Sequence, residues 1–375
     1  MSVGILALLL FALFLNLGLH PLKHEEPRRA LVALEMMLRN NLIVPTELGA
    51  LYYNKPPLYN WVIIGAFHLF GDYSEFTVRF FSVLSFLGIG LLVFLTGRHY
   101  ANPRFAVYSA LFFLVTVDIL YYFSITGEID LFYSLLTFAQ ILAVYHYHRQ
   151  KKFFLLFVVV YLLAALGSLT KGLPSIAFAG ISLVSWLAYQ HDFKRLFSLQ
   201  HFLGILLYVL IVGGYFYWYS LYENPIGFVN RLYTESSNRT VAANGFTDLM
   251  VHLVSFPTIT FINLMPGALL AIFIFRKNIW SSLKAQPFVF YCAFIFIANF
   301  ALYWLSPGAK ARYTYMLYPF PLMLMVYSYL SDDGGHYLKR RVILHRIILL
   351  LIILVGIAAL ALPWVEKLKV LVDNL

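Results

Sequence analysis

The sequence predicts an all-α polytopic membrane protein, and three observations carry that prediction. Of its 375 residues, 61% are hydrophobic and only 12% are charged, where a soluble domain carries about 25% charged residues. Apolar runs recur along the whole chain, each close to the roughly 20 residues that cross a hydrocarbon core as a helix. The charges gather in the short segments between those runs. A formal net charge of +10 therefore reads as basic loops that orient spans, not as a nucleic-acid surface. Cys292 is the single cysteine and lies inside an apolar run, which excludes a disulfide framework.

About eleven spans are expected, all helical because backbone polar groups in lipid must be satisfied within the segment. The first is Ser2–Leu19, a retained span: it lacks the basic leader and small-residue cleavage site of a signal peptide. The next are Thr77–Thr96, Phe105–Phe123, Leu131–Tyr147, Phe153–Leu169, Pro174–Tyr189 and Phe197–Tyr219. Leu249–Phe275, Pro287–Leu305, Tyr313–Leu330 and Val342–Leu362 complete the set. The chain reads as one transmembrane domain over 1–375, with no repeat and no C-terminal soluble domain.

Basic clusters at Arg98/Arg104, Arg149–Lys152, Lys194-Arg195, Arg276–Lys284 and Lys339–Arg346 fall on one side if the spans alternate. That places the N-terminus in the cytoplasm and the protein in the inner (plasma) membrane. The opposite, extracytoplasmic side holds Leu19–Glu75, Ser124–Asp130, Thr170–Leu173, Ser220–Asp248 and Ser306–Arg312. Leu19–Glu75 is too long for a hairpin. Apolar residues at Leu31, Leu34, Met37 and Leu38 give Arg28–Arg39 the spacing of an amphipathic interfacial helix. Leu58–Phe70, entered by Pro56-Pro57 and stopped by Gly71, reads as a second. Ser220–Asp248 is the second long outer loop.

The outer loops hold the chemistry. Glu25 and Glu26 follow the first span directly; such carboxylates are either solvated or, shielded by apolar surroundings, suited to accept a proton. Glu128 and Asp130 form a second acidic point, where Asp130 serves as a helix cap, a catalytic carboxylate or both. Arg28, Arg29, Lys55, Lys171, Arg239, Lys310 and Arg312 crowd the side that ordinarily carries fewer basic residues. Lys171, in a turn with almost no loop, either snorkels to headgroups or meets an anion. His252, near the outer end of its span, is either structural or a ligand contact. No His/Cys set has metal-site spacing, so no metal and no cofactor are expected. An anion held at the bilayer surface suggests a lipid phosphate, whose developing charge Lys and Arg neutralise.

These pieces occur in a definite order: Glu25-Glu26-Pro27-Arg28-Arg29, then Asn54-Lys55-Pro56-Pro57-Leu58, then Asp130 opening a helix, then Leu169-Thr170-Lys171-Gly172, then Lys310 and Tyr313 before a late span. From Leu19 to about Leu330 the chain resembles the GT-C glycosyltransferases, in the branch of the bacterial aminoarabinose transferase and the dolichyl-phosphate-mannose protein mannosyltransferases. The pattern departs from that branch at Glu25 for aspartate, Arg29 for tyrosine and Asn54 for glutamate.

The resemblance implies a GT-C fold and an inverting glycosyl transfer from a polyprenyl-phosphate-linked sugar. The acceptor would be a lipid, glycan or protein at the outer face of the bilayer, with no nucleic acid involved. It implies Glu25 as leading base with Asp130 as partner or alternative, and Arg28, Lys55, Lys171 and Lys310 on the donor phosphate. Glu26, Glu128, Tyr313, Arg239 and His252 are further candidates for substrate contact. The polyprenyl tail is expected beside the aromatic-rich Leu58–Phe70. The rival readings are a lipid-linked-sugar transporter or flippase, or a relative that binds the carrier without catalysis. Transport predicts charges deep in the spans or paired broken helices.

Overall fold

The computed structural model describes residues 2–121, 125–274, 279–331, 346–347, 349–361 and 364–365. It is helical apart from a two-residue antiparallel hairpin, Thr46–Glu47 with Ala50–Leu51. Helix α1 spans Ser2–Leu15, α2 Glu26–Leu38, α3 Leu58–Phe70, α4 Glu75–Tyr100, α5 Pro103–Leu114 and α6 Val117–Tyr121. Then follow α7 (Ile129–Arg149), α8 (Phe153–Lys171), α9 (Pro174–Tyr189) and α10 (Leu199–Ser220). The outer segment holds α11 (Ile226–Ser237) and α12 (Val241–Asn244); α13 (Phe246–Asn263), α14 (Ile279–Ala285), α15 (Pro287–Trp304) and α16 (Pro319–Leu330) complete the bundle, with a further helix at Leu349–Ala361.

Among the described residues, α4, α7, α8, α10 and α15 are long and apolar enough to cross a membrane. A sixth span results if α13 and the 3₁₀ segment Gly267–Phe273, bent by 108°, are counted together. The chain is thus a multi-pass membrane protein. The expected span Pro174–Tyr189 is α9 with the same bounds. Of the expected span Val342–Leu362, residues 346–347 and 349–361 are helical, and the remaining positions lie outside the described residues.

Two expected spans are broken. Phe105–Phe123 stops at Val115 and resumes at Val117, within a β-branched run whose Thr116 hydroxyl bonds back to the Phe112 carbonyl at 3.1 Å. Leu249–Phe275 breaks before Pro266, which has no N–H to continue the ladder. The breaks meet, since the Val117 N–H donates to the Met265 carbonyl at 3.1 Å. In apolar surroundings each freed backbone group needs such a partner. The expected tenth span, Tyr313–Leu330, opens within a 3₁₀ turn over Ala311–Leu317 before Pro319 opens α16.

Helices α2 and α3 are both present in the first long loop. Gly71 ends α3 in the left-handed region at φ 70°, as its lack of a Cβ allows. The buried face of α2, however, is Arg29, Val32, Ala33 and Met36, not the Leu31/Leu34/Met37/Leu38 stripe, and Leu38 is 74% exposed. That face packs on Tyr59, Ile63, Ile64 and Phe67 of α3 and on Val78 and Ile129. With those residues buried, α3 is part of the core and offers no groove for a lipid tail along that face.

One ion pair fastens this region. Glu26 and Arg79 are buried, and they meet through Nε–Oε1 at 2.7 Å and Nη2–Oε2 at 3.0 Å. Glu26 also accepts the N–H of Gly127 at 2.6 Å and of Lys23 at 2.8 Å. Arg79 spends its remaining donors on the carbonyls of Leu17 and His20, at 2.7 and 2.8 Å, and of Pro21 at 3.0 Å. Glu26 is therefore held on four sides by partners within the fold. The close approach requires a glycine at 127, where a Cβ would lie 2.8 Å from Val78 Cγ1. Removing one charge of a buried pair costs about 3–5 kcal/mol. Glu26→Ala and Arg79→Ala should each lower the unfolding midpoint of the detergent-solubilised protein strongly, and the paired replacement Glu26→Gln with Arg79→Met by less than the two single losses summed. Thermal unfolding followed by intrinsic fluorescence reads this.

Candidate active site

The five expected outer loops converge at one end of the bundle. Lys55 reaches Glu235 of α11, Lys171 reaches Asp130, Gly127 reaches Glu26, and Arg239 is bound to the 306–308 turn. Three of the basic loops, at 98–104, 149–152 and 194–195, meet at the other end through His148–Asp192 and Tyr100–His146, while Arg276, Lys277 and Lys339–Arg341 lie outside the described residues.

Each cation is positioned by its local structure. Lys171 is the last residue of α8, where Gly172 at φ 89° turns the chain into α9. Its Nζ lies 2.5 Å from Asp130 Oδ1, with both side chains buried, and faces the rings of Tyr133 and Tyr313 at 5.1 and 4.7 Å. Asp130 thus pairs with Lys171 across the site and does not cap its helix; Glu128 stands at the N-cap position without a side-chain cap bond. Lys55 Nζ lies 2.5 Å from Glu235 Oε1. Arg239 Nη2 meets the same oxygen at 2.7 Å, and its guanidinium lies over Tyr313 at 4.6 Å. Arg312 also lies against Tyr313, at 5.8 Å.

Arg28 and Arg29 part company, because neighbours on a helix point about 100° apart. Arg28 is half exposed and is engaged with Glu25 at 2.8 Å and Glu47 at 2.8 Å. Arg29 is buried on the inner face of α2, donates to Tyr52 Oη at 2.5 Å, and keeps an Nε with no hydrogen-bond partner among the described residues. Lys310 is exposed and forms none of these pairs, and buried His252 bonds to the Tyr303 carbonyl at 3.0 Å, which ties α13 to α15.

Two groups in the loops are electrostatically poised. Burial pulls Lys55 down to about 8 against the pull of Glu235, and Arg29 and Lys171 push it the same way. Burial pushes the Glu128 carboxyl up to about 7; nearby Asp130 adds to this, while Arg29 and Arg312 oppose it. No hydrogen bond engages the Glu128 side chain among the described residues. Glu25, with a side chain 42% exposed, sits at the rim close enough to act on Glu128. Beside Arg239 and Tyr303 opens a largely apolar groove of about 520 Å³, lined also by Leu173, Pro174, Ala177 and Leu302.

Glu235, Arg29 and Arg79 are the residues that motif reading missed or left without a role. Only the 29, 32, 33, 36 spacing on α2 would have turned Arg29 inward, and nothing in the sequence pairs Glu235 with Lys55. No cluster of three or more metal-ligating side chains exists among the described residues.

The comparisons agree with this architecture. Residues 54–218 match the family model described as dolichyl-phosphate-mannose-protein mannosyltransferase. The undecaprenyl phosphate-alpha-4-amino-4-deoxy-L-arabinose arabinosyl transferase of Edwardsiella ictaluri is 27% identical over 365 residues, 91% of this chain and 61% of that protein. The corresponding transferase 2 of Proteus mirabilis is 25% identical over 350 residues, 87% of this chain and 59% of that protein. The crystal structure of ArnT from Cupriavidus metallidurans bound to undecaprenyl phosphate superposes with a TM-score of 0.74 at 21% identity, covering 92% of this chain and 63% of that one. The chain thus spans about three fifths of the length of the relatives it matches. The fold is that of the GT-C membrane glycosyltransferases. Within it, the resemblance to the aminoarabinose-transferase and protein-mannosyltransferase branch holds.

The site makes one spectroscopic expectation. A carboxyl that titrates near neutrality should be visible in difference infrared spectra between pH 6 and pH 8 and absent from Glu128→Gln; an unchanged carboxyl band in that variant would remove Glu128 from its poised role.

Proposed function

We propose that the protein is an inverting glycosyltransferase that moves a sugar from a polyprenyl-phosphate carrier to an acceptor at the extracytoplasmic face of the cell membrane, with the N-terminus in the cytoplasm. One observation carries this reading: buried and partly buried cations from four loops gather beside an apolar groove, and one of them, Arg29, keeps an unsatisfied donor. A lipid phosphate supplies both the acceptor that this donor lacks and the tail that the groove suits. The names of the relatives support an undecaprenyl-phosphate-linked sugar as donor.

Lys55 and Arg239 form the phosphate seat, and Arg29 and Lys171 add positive potential from behind. In this assignment Arg29 and Arg239 take the places the motifs suggested for Arg28 and Lys310. The acceptor hydroxyl attacks the anomeric carbon as the bond to the phosphate oxygen breaks. The electron pair goes to that oxygen, where fixed cations in a water-poor site stabilise it. The acceptor proton goes to a carboxylate. Glu128, unengaged and poised near neutrality, suits that task. Glu25 is the alternative base, favoured by its motif position and its access at the rim. Asp130 keeps Lys171 aimed. The broken helices α5–α6 and α13 do not favour a transport path, because they close on each other through Val117 and Met265.

Purified protein given an undecaprenyl-phosphate sugar and its acceptor should transfer the sugar. Lys55→Ala and Lys171→Ala should each cost about 10²-fold or more in turnover, the scale of a lost charge-stabilising donor. Carrier affinity should fall as pH rises through about 8, because Lys55 loses its charge there in the face of Arg29 and Lys171, with Glu235 and Arg239 as its other charged neighbours. Near-normal turnover by both variants would overturn the site assignment. If Glu25→Gln abolishes transfer while Glu128→Gln leaves it intact, the base is Glu25.

A further inference from the structure

Glu235 stands exactly where the proposed phosphate seat would receive its ligand. A single oxygen, Oε1, accepts from Lys55 Nζ at 2.5 Å and from Arg239 Nη2 at 2.7 Å. One anionic oxygen between two partly buried cations is the arrangement a phosphate oxygen would adopt there. The Glu235 side chain is 29% exposed, against 12% for Lys55 and 14% for Arg239, so the carboxylate lies on the solvent side of the cations.

The backbone positions that carry the cations are held independently of Glu235. The Arg239 carbonyl accepts from Ser306 Oγ at 2.6 Å and from the Gly308 N–H at 3.2 Å, and its guanidinium rests on Tyr313. Lys55 is fixed by the prolines that follow it, both buried. Helix α11 is anchored nearly two turns earlier, where buried Phe228 packs on Tyr53, Phe216 and Tyr219. A rotamer change at Glu235 therefore vacates the seat without unpacking the helix.

We propose that Glu235 is the exchange ligand of the phosphate seat: it holds Lys55 and Arg239 while the seat is empty, yields them to the donor, and returns to displace the spent carrier. This rests on the reading of Lys55 and Arg239 as that seat. The need for exchange follows from the charge change in the reaction. A sugar-linked phosphodiester carries one negative charge, whereas the polyprenyl phosphate left after transfer carries about −1.5 to −2 near neutral pH. Two partly buried cations thus hold the product more tightly than the donor, and a resident carboxylate competing for the same donors opposes product retention.

The test measures binding of undecaprenyl monophosphate to the full chain in nanodiscs, with steady-state turnover alongside. Glu235→Gln is expected to bind the monophosphate about tenfold more tightly than the parent protein and to lower kcat and KM together. Lys55→Ala is expected to bind it at least about tenfold more weakly. If Glu235→Gln binds no more tightly while Lys55→Ala is weakened, the exchange role is overturned and the phosphate seat stands. If Lys55→Ala binds as the parent does, the seat itself is overturned. Should Glu235→Gln fail to fold, Glu235→Asp serves: its shorter side chain spans the two cations poorly, and about threefold tighter binding is expected, with no tightening overturning the proposal.

Discussion

The buried Glu26–Arg79 pair is the interaction on which the rest of the outer end depends. A buried guanidinium without acceptors would be ruinous in this setting, and this one has all of its donors placed. Its carbonyl partners fix the exit of the chain from α1, its carboxylate partner fixes the start of α2, and that carboxylate fixes Gly127. Glu25 and Arg29 follow from the setting of α2, and Glu128 and Asp130 from the setting of Gly127. Two walls of the site, a hundred residues apart in sequence, thus share one support.

Around that support the charges are arranged in closed sets. Lys171 and Asp130 satisfy each other, Lys55 and Arg239 share Glu235, and Arg28 is divided between Glu25 and Glu47. Such pairing lets many ionised groups coexist at the edge of an apolar bundle, where an isolated charge would be costly. Among the groups left open in the described residues are the Nε of Arg29 and the carboxyl of Glu128. A site with little to rearrange is suited to stabilise charge as it develops.

Much of this was legible in the sequence, for identifiable reasons. Apolar run lengths located α4, α7, α8, α9, α10 and α15 because the bilayer imposes length. Gly71 and Pro174 marked ends because their backbone chemistry is local. Alternation of spans put the charged loops on a shared side, and they do converge. The breaks at Thr116 and Pro266 were hidden because Asp118 and Asn263 are isolated polar residues in otherwise apolar runs, and hydropathy does not register a missing N–H. The inward turn of Arg29 was hidden because two stripes on α2 have helical spacing. The partners of Glu26, Lys55 and Asp130 lie 53, 180 and 41 positions away, and pairings at such range are set by packing that no local pattern encodes.

The meeting of the two broken helices bears on how the protein is made. The amide of Val117 finds its acceptor at Met265, and Tyr315 and Asn263 both donate to Asp118 beside it. An amide and a carboxylate left open in hydrocarbon are expensive. The early helices α5 and α6 therefore cannot settle in lipid by themselves, and they stay incomplete until synthesis has passed Tyr315. Membrane insertion of the first half is then provisional, and a chain arrested before that point would present an unsatisfied polar notch to whatever surveys nascent helices in the bilayer.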